Sequence, residues 1–132
     1  MARHPFFDQP SRWHTTIASA RAETLGDGQR KAILVVVGAE RCVATRSFVE
    51  KTLCKDEVIE LLEEGFVPVC LVSLEDPMLA EWLAKLPKRE PTPVCLYLSP
   101  RGGLLLSTVG GRPPAVLMND MLQATRLLRL EA

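Results

Sequence analysis

The chain has no surplus of either charge: sixteen lysine and arginine side chains are balanced by sixteen aspartates and glutamates. Such a balance leaves no electrostatic footprint for nucleic acid or an anionic membrane surface, so neither is expected as a partner. No apolar run approaches the roughly 20 residues that a membrane-spanning helix needs; the longest are of the kind AILVVV at 32–37. The amino terminus, MARHPFFDQPSRWH, has no apolar stretch of signal-peptide length. Cytoplasmic residence is therefore the default expectation, although a chain trimmed of its leader would read the same. Histidine is confined to His4 and His14, and the four cysteines, Cys42, Cys54, Cys70 and Cys95, form no C-x-x-C pair. Clustered ligands for a tetrahedral metal are thus missing, and neither a metal nor a cofactor is expected. Internal repeats and low-complexity tracts are absent too.

What remains is an ordinary globular composition, 47% hydrophobic and 24% charged over 132 residues. At this length one domain, 1–132, buries roughly 65 to 70% of the surface exposed by the unfolded chain without a covalent staple. Residues 1–10, with two prolines and Phe6-Phe7, read as an irregular arm. From Ser11, a plausible N-cap, Trp13, Ile17, Ala20 and Leu25 recur at helical spacing up to the stop GDG. KAILVVVG is short, apolar and β-branched, the mark of a strand covered on both faces. After Cys42 the period becomes helical through Phe48. KDEVIELLEEG, with Val58, Leu61 and Leu62, supplies either a second helix or a bent continuation. FVPVCLVSL is a further buried strand, in which Pro68 removes one backbone donor. PMLAEWLAKL predicts a short helix with Pro77 in its first turn and Leu79, Trp82, Leu83 and Leu86 inward; Lys85, Lys88 and Arg89 are its solvated end. TPVCLYLS, PRGG and LLLSTVGG read as a hairpin, and PPAVLMNDMLQATRLLRL as a long amphipathic helix. Cys70 and Cys95, inside strand-like runs, are expected to serve as small core hydrophobes. The order implies an α/β fold, a four-stranded mixed sheet flanked by helices, because a parallel crossover needs a helix while the hairpin supplies the antiparallel edge.

This order, with AERCVAT at 39–45, DEVIELLEEGFVPV at 56–69 and EPTPVCLYLSPRGGLLL at 90–106, resembles the thioredoxin-like superfamily, bacterial members in particular. The resemblance spans residues 11–125 and is densest over 34–69. It places Cys42 at the first cysteine of the family's C-x-x-C, with Thr45 where the second would stand. It also places Pro93 at the family's cis-proline, preceded by Thr92. Two departures follow from the same register: Val36 stands where thioredoxins carry a buried acid, and Arg41 where they carry tryptophan.

The resemblance implies a thiol nucleophile at a helix start, where unpaired N–H groups favour the thiolate. Arg41 would add a positive charge beside Cys42, and the Thr45 hydroxyl, one turn on, would donate to the sulfur. Thr45 cannot resolve a mixed disulfide, and Cys54, twelve residues after Cys42, is about three helical turns away, too far for a disulfide. An outside thiol such as glutathione is then required. Thr92-Pro93 would pair its backbone with an extended substrate, or merely fix its loop. Two functional readings therefore stand. One is a monothiol protein-disulfide oxidoreductase or redox sensor whose partners are protein or peptide thiols and disulfides. The other is a redox-inactive module that binds a partner protein or peptide through the same groove or the last helix. Leu117, Met118, Met121, Leu122, Leu127, Leu128 and Leu130 exceed what one packed face requires, which suits a homodimer through that helix. A Cys-His hydrolase would need His14 as its base and offers no residue to orient it.

Overall fold

The computed structural model describes residues 13–26, 31–38, 43–71 and 93–131. Its elements are α1 (Ile17–Gly26), β1 (Ala32–Val37), α2 (Val43–Phe48), a π-helical turn (Val49–Leu53), α3 (Asp56–Gly65), β2 (Phe66–Leu71), β3 (Val94–Leu98), β4 (Leu104–Val109) and α4 (Pro114–Glu131). The four strands form one mixed sheet in the order β2-β1-β3-β4. β1 runs parallel to β2 and antiparallel to β3, and β3 pairs antiparallel with β4. This is the architecture expected from the order of the apolar runs. The expected helix at 77–86, with Trp82, lies outside the described residues, as does the amino-terminal arm.

Every residue of β1 is buried, as its unbroken apolar run requires. Alternate side chains enter two cores. Leu34 and Val36, with Cys95 and Tyr97, meet Phe48, Val58, Leu117 and Met121 from α2, α3 and α4. Ile33, Val35 and Val37, with Leu96 and Leu98, meet Ile17 and Ala20 of α1 on the opposite face. Period-two alternation thus divides β1 between the layers.

α1 begins at Ile17, later than the spacing from Ser11 suggests, because His14 is used by the sheet. Its N–H donates to the Pro68 carbonyl and its own carbonyl accepts from Cys70 N–H, both at 2.9 Å. This bridge also accounts for Pro68. In a strand a residue's N–H and C=O point to the same side, so the missing donor of Pro68 faces outward and costs the β1–β2 ladder nothing. Leu25, expected on the inner face, is 61% exposed, and Thr24 is buried there instead. Cys95 is wholly buried as expected, whereas Cys70, in the edge strand, is only partly covered.

The segment after Cys42 is the bent form of the two that its period permits. The π-helical turn ends at Cys54, and Lys55 is extended (φ −74°, ψ 137°) before α3 starts. The hairpin turn is closed by Gly102, at φ 93°, and by Ser99 Oγ, which accepts from Gly103 N–H at 3.1 Å.

Candidate functional site

The register brings three separate stretches to one end of the sheet. Val37, last in β1, pairs with Val94, first in β3, which in turn pairs with Val109, last in β4. Gly38, Pro93 and Gly110 therefore follow one another across the same edge. Gly38 N–H donates to the Leu71 carbonyl at 2.9 Å, adding the end of β2 to the row. Carboxyl ends of parallel strands in α/β sheets are where open crevices form.

Of the residues singled out in the sequence, Arg41, Cys42 and Thr92 lie outside the described residues. Thr45 and Pro93 are described, and both are buried. Thr45 points into the fold: a Cβ on Gly38 would fall 2.5 Å from its Cγ2. Glycine at 38 is what lets α2 lie so close to the exit of β1. Val43, which opens α2 next to Cys42, is 78% exposed, an unusual placement for valine. Pro93 presents its carbonyl to Gly110 N–H at 2.7 Å.

A short strap, Gly110–Gly111–Arg112, ties these pieces together and escaped the sequence reading, in which VGG was only the end of a strand. Gly110 adopts φ 83°, which glycine reaches without penalty, and turns the chain off β4. Gly111 rests on α2, since its Cβ position would be 3.8 Å from Phe48 Cβ and 4.0 Å from the Ala44 carbonyl oxygen. The Arg112 carbonyl accepts from the Thr52 hydroxyl at 2.7 Å. Its guanidinium donates through Nε and Nη2 to both oxygens of Asp120 in α4, at 2.9 and 3.1 Å. That bond holds the guanidinium pKa above its ordinary value. The legible signal was a pair of glycines directly after a strand, followed by an arginine eight residues ahead of an aspartate in an otherwise apolar helix face.

Burial works against the thiolate form in each of the three described cysteines. Burial pushes the Cys95 thiol up to about 12. Burial also raises Cys54, helped by the negative charge of Glu50, and raises Cys70. Among the described residues no group of histidine, cysteine and carboxylate side chains is placed to hold a metal ion, and no helix is long and apolar enough to cross a membrane.

No family model and no curated protein matches the chain. Solved structures do. A thioredoxin from Thermus thermophilus superposes with a TM-score of 0.65 at 26% identity, covering 85% of each chain. The DsbH oxidoreductase gives 0.63 at 16% identity over 90% of each chain. The carboxy-terminal domain of Neisseria meningitidis DsbD, in its oxidised form, gives 0.61 at 17%, over 81% of this chain and 90% of that one. The sheet order, the helices on both faces and these superpositions agree: the fold is that of the thioredoxin-like thiol–disulfide oxidoreductases, and the chain belongs to the thioredoxin-like superfamily.

Proposed function

We propose that the protein exchanges thiols and disulfides through one cysteine, Cys42, with protein or peptide disulfides as substrates. The observation that carries this reading is the convergence of Gly38, Pro93 and Gly110 at the sheet end from which α2 departs one residue after Cys42. The raised thiols of Cys54, Cys70 and Cys95 support it by leaving Cys42 as the candidate for a reactive sulfur. Arg41, next in sequence, favours the Cys42 thiolate by its charge.

In the first step the Cys42 thiolate attacks one sulfur of a substrate disulfide. A Cys42–substrate disulfide forms, the substrate S–S bond breaks, and the second substrate sulfur leaves as a thiolate that takes a proton from water. Thr45 then donates a hydrogen bond to the Cys42 sulfur but supplies no thiol. Release needs an outside thiolate, for which glutathione has the right chemistry. It attacks the substrate sulfur of the mixed disulfide, forms a glutathione–substrate disulfide and returns Cys42 as a thiolate. A cytoplasmic setting, rich in such thiols, suits this cycle. The peptide groups of Thr92 would pair with an extended substrate strand, beside Pro93, whose own carbonyl is taken by Gly110 N–H.

Alkylation of Cys42 followed by mass spectrometry over pH 5 to 9 tests the proposal. A rate profile with a midpoint well below the ordinary cysteine value of about 8.5 is expected. A profile like that of an unperturbed thiol defeats it and leaves the binding-module reading. Thr45→Cys is the second arm. It restores the dithiol spacing and should confer dithiothreitol-driven reduction of a peptide disulfide.

A further inference from the structure

Asp120 is unusual in its surroundings. It lies in α4 between Leu117 and Met121, both fully buried, and its own side chain is 10% exposed. A carboxylate in an apolar face is costly unless it is paired, and here both oxygens are taken by one arginine. That arginine is on the strap. The strap in turn gives its Gly110 N–H to the Pro93 carbonyl, lies on α2 at Ala44 and Phe48, and accepts from Thr52. A hydrophobic pair at 112 and 120 would serve the core equally well. What the ion pair adds is direction: a bidentate fork fixes the orientation of the arginine, and so the path of the strap between β4 and α4.

We propose that the Arg112–Asp120 pair is a latch that positions the Gly110–Arg112 strap beside Pro93, and so sets how an extended peptide disulfide is held there. Arg112 and Asp120 are positioning residues, acting through the path of the strap. The inference rests on the site proposed above, but half of its test does not depend on turnover.

The test uses the whole chain with Asp120→Asn, which keeps the shape and removes the charge. Arg112→Lys, at a position whose side chain is 32% exposed, keeps the charge and removes the fork. The second variant serves if the first does not fold. Amide hydrogen exchange followed by NMR is expected to speed up about 10-fold at Gly110, the size of effect that loss of a charge-assisted bond produces. The amides of Leu34 and Tyr97 should exchange as before. With a peptide disulfide and glutathione, KM should rise about as much. The limiting kcat and the pH profile of Cys42 alkylation should stay unchanged. Unchanged exchange at Gly110 overturns the latch, and so does a uniform rise across all amides, which would mean general destabilisation. A fall in kcat at constant KM overturns the positioning role. If the unaltered protein shows no turnover, the thiol reading fails by itself and the exchange at Gly110 still decides the latch.

Discussion

Gly38→Ala should destabilise the protein through one contact. The new Cβ would lie 2.5 Å from Thr45 Cγ2, 3.2 Å from its Oγ1 and 3.4 Å from its Cβ. Carbon atoms settle at about 3.5–4 Å, so the methyl must retreat by roughly 1 Å. Thr45 has little room to do so. It is fully buried, and a branched side chain within a helix has one or two accessible rotamers. Overpacking of this kind costs about 1–3 kcal/mol. Alanine recovers roughly 0.4–1 kcal/mol by restricting the unfolded chain. A net loss near 1–2 kcal/mol follows, and a midpoint about 3–8 °C lower for a domain of this size. Urea unfolding monitored by circular dichroism measures it. Thr45→Ser keeps the hydroxyl and deletes Cγ2, so in that background Gly38→Ala should cost less than about 1 kcal/mol, with a coupling energy of about 1 kcal/mol between the two sites. Equal costs in both backgrounds would refute the contact as the cause.

The alkaline limb of stability should carry the signature of Cys95. Its folded pKa, pushed up to about 12 by burial, lies above the unfolded value of 9.0, so the protonated thiol stabilises the fold fully below pH 9. That contribution is lost as pH rises from 9 toward 12, at up to about 1.4 kcal/mol per unit. Urea unfolding at pH 8 to 10 should show a shallower decline for Cys95→Ala than for the parent chain, and parallel curves would contradict the assignment. Tyr97→Phe removes a buried hydroxyl that has no hydrogen-bond partner among the described residues, while keeping the edge-on contact with Phe66 at 6.1 Å. Stability should hold or rise, and a loss above about 1 kcal/mol in the same assay would count against this account.

The strands are the most legible part of the sequence, because burial on both faces leaves no choice but an uninterrupted apolar run. AILVVV becomes β1 without a residue to spare. PRGG likewise announces the hairpin, since Gly102 has to adopt φ 93°. The start of α1 is illegible for a physical reason: Trp13 continues the helical period, yet the backbone of the next residue, His14, is taken by the open edge of β2. Local periodicity cannot register a hydrogen bond made to Pro68 and Cys70, more than fifty residues away. The strap is hidden in the same way, since its meaning lies in Pro93, Thr52 and Asp120 rather than in its neighbours. Thr45 and Pro93 stand out in the sequence only through family resemblance; their burial and the role of Gly38 required the fold.

The mixed sheet explains why residues so far apart in sequence collect at one end. A parallel crossover brings the carboxyl ends of β1 and β2 together, as the bond from Gly38 N–H to the Leu71 carbonyl shows. An antiparallel β3 must then enter at that end, and β4 must leave by it, so Pro93 and Gly110 arrive there as a consequence of strand direction alone. The proposed thiol chemistry at this end would depend on what α2 offers next to Cys42. Positions three apart share a helix face, which makes 45 the place where a second thiol reaches the first. Cys54, at the end of the π-helical turn and just before the break at Lys55, is carried away from that face. On the proposed reading of Cys42, a threonine at 45 leaves resolution to an outside thiol, and Thr45→Cys should supply an internal one.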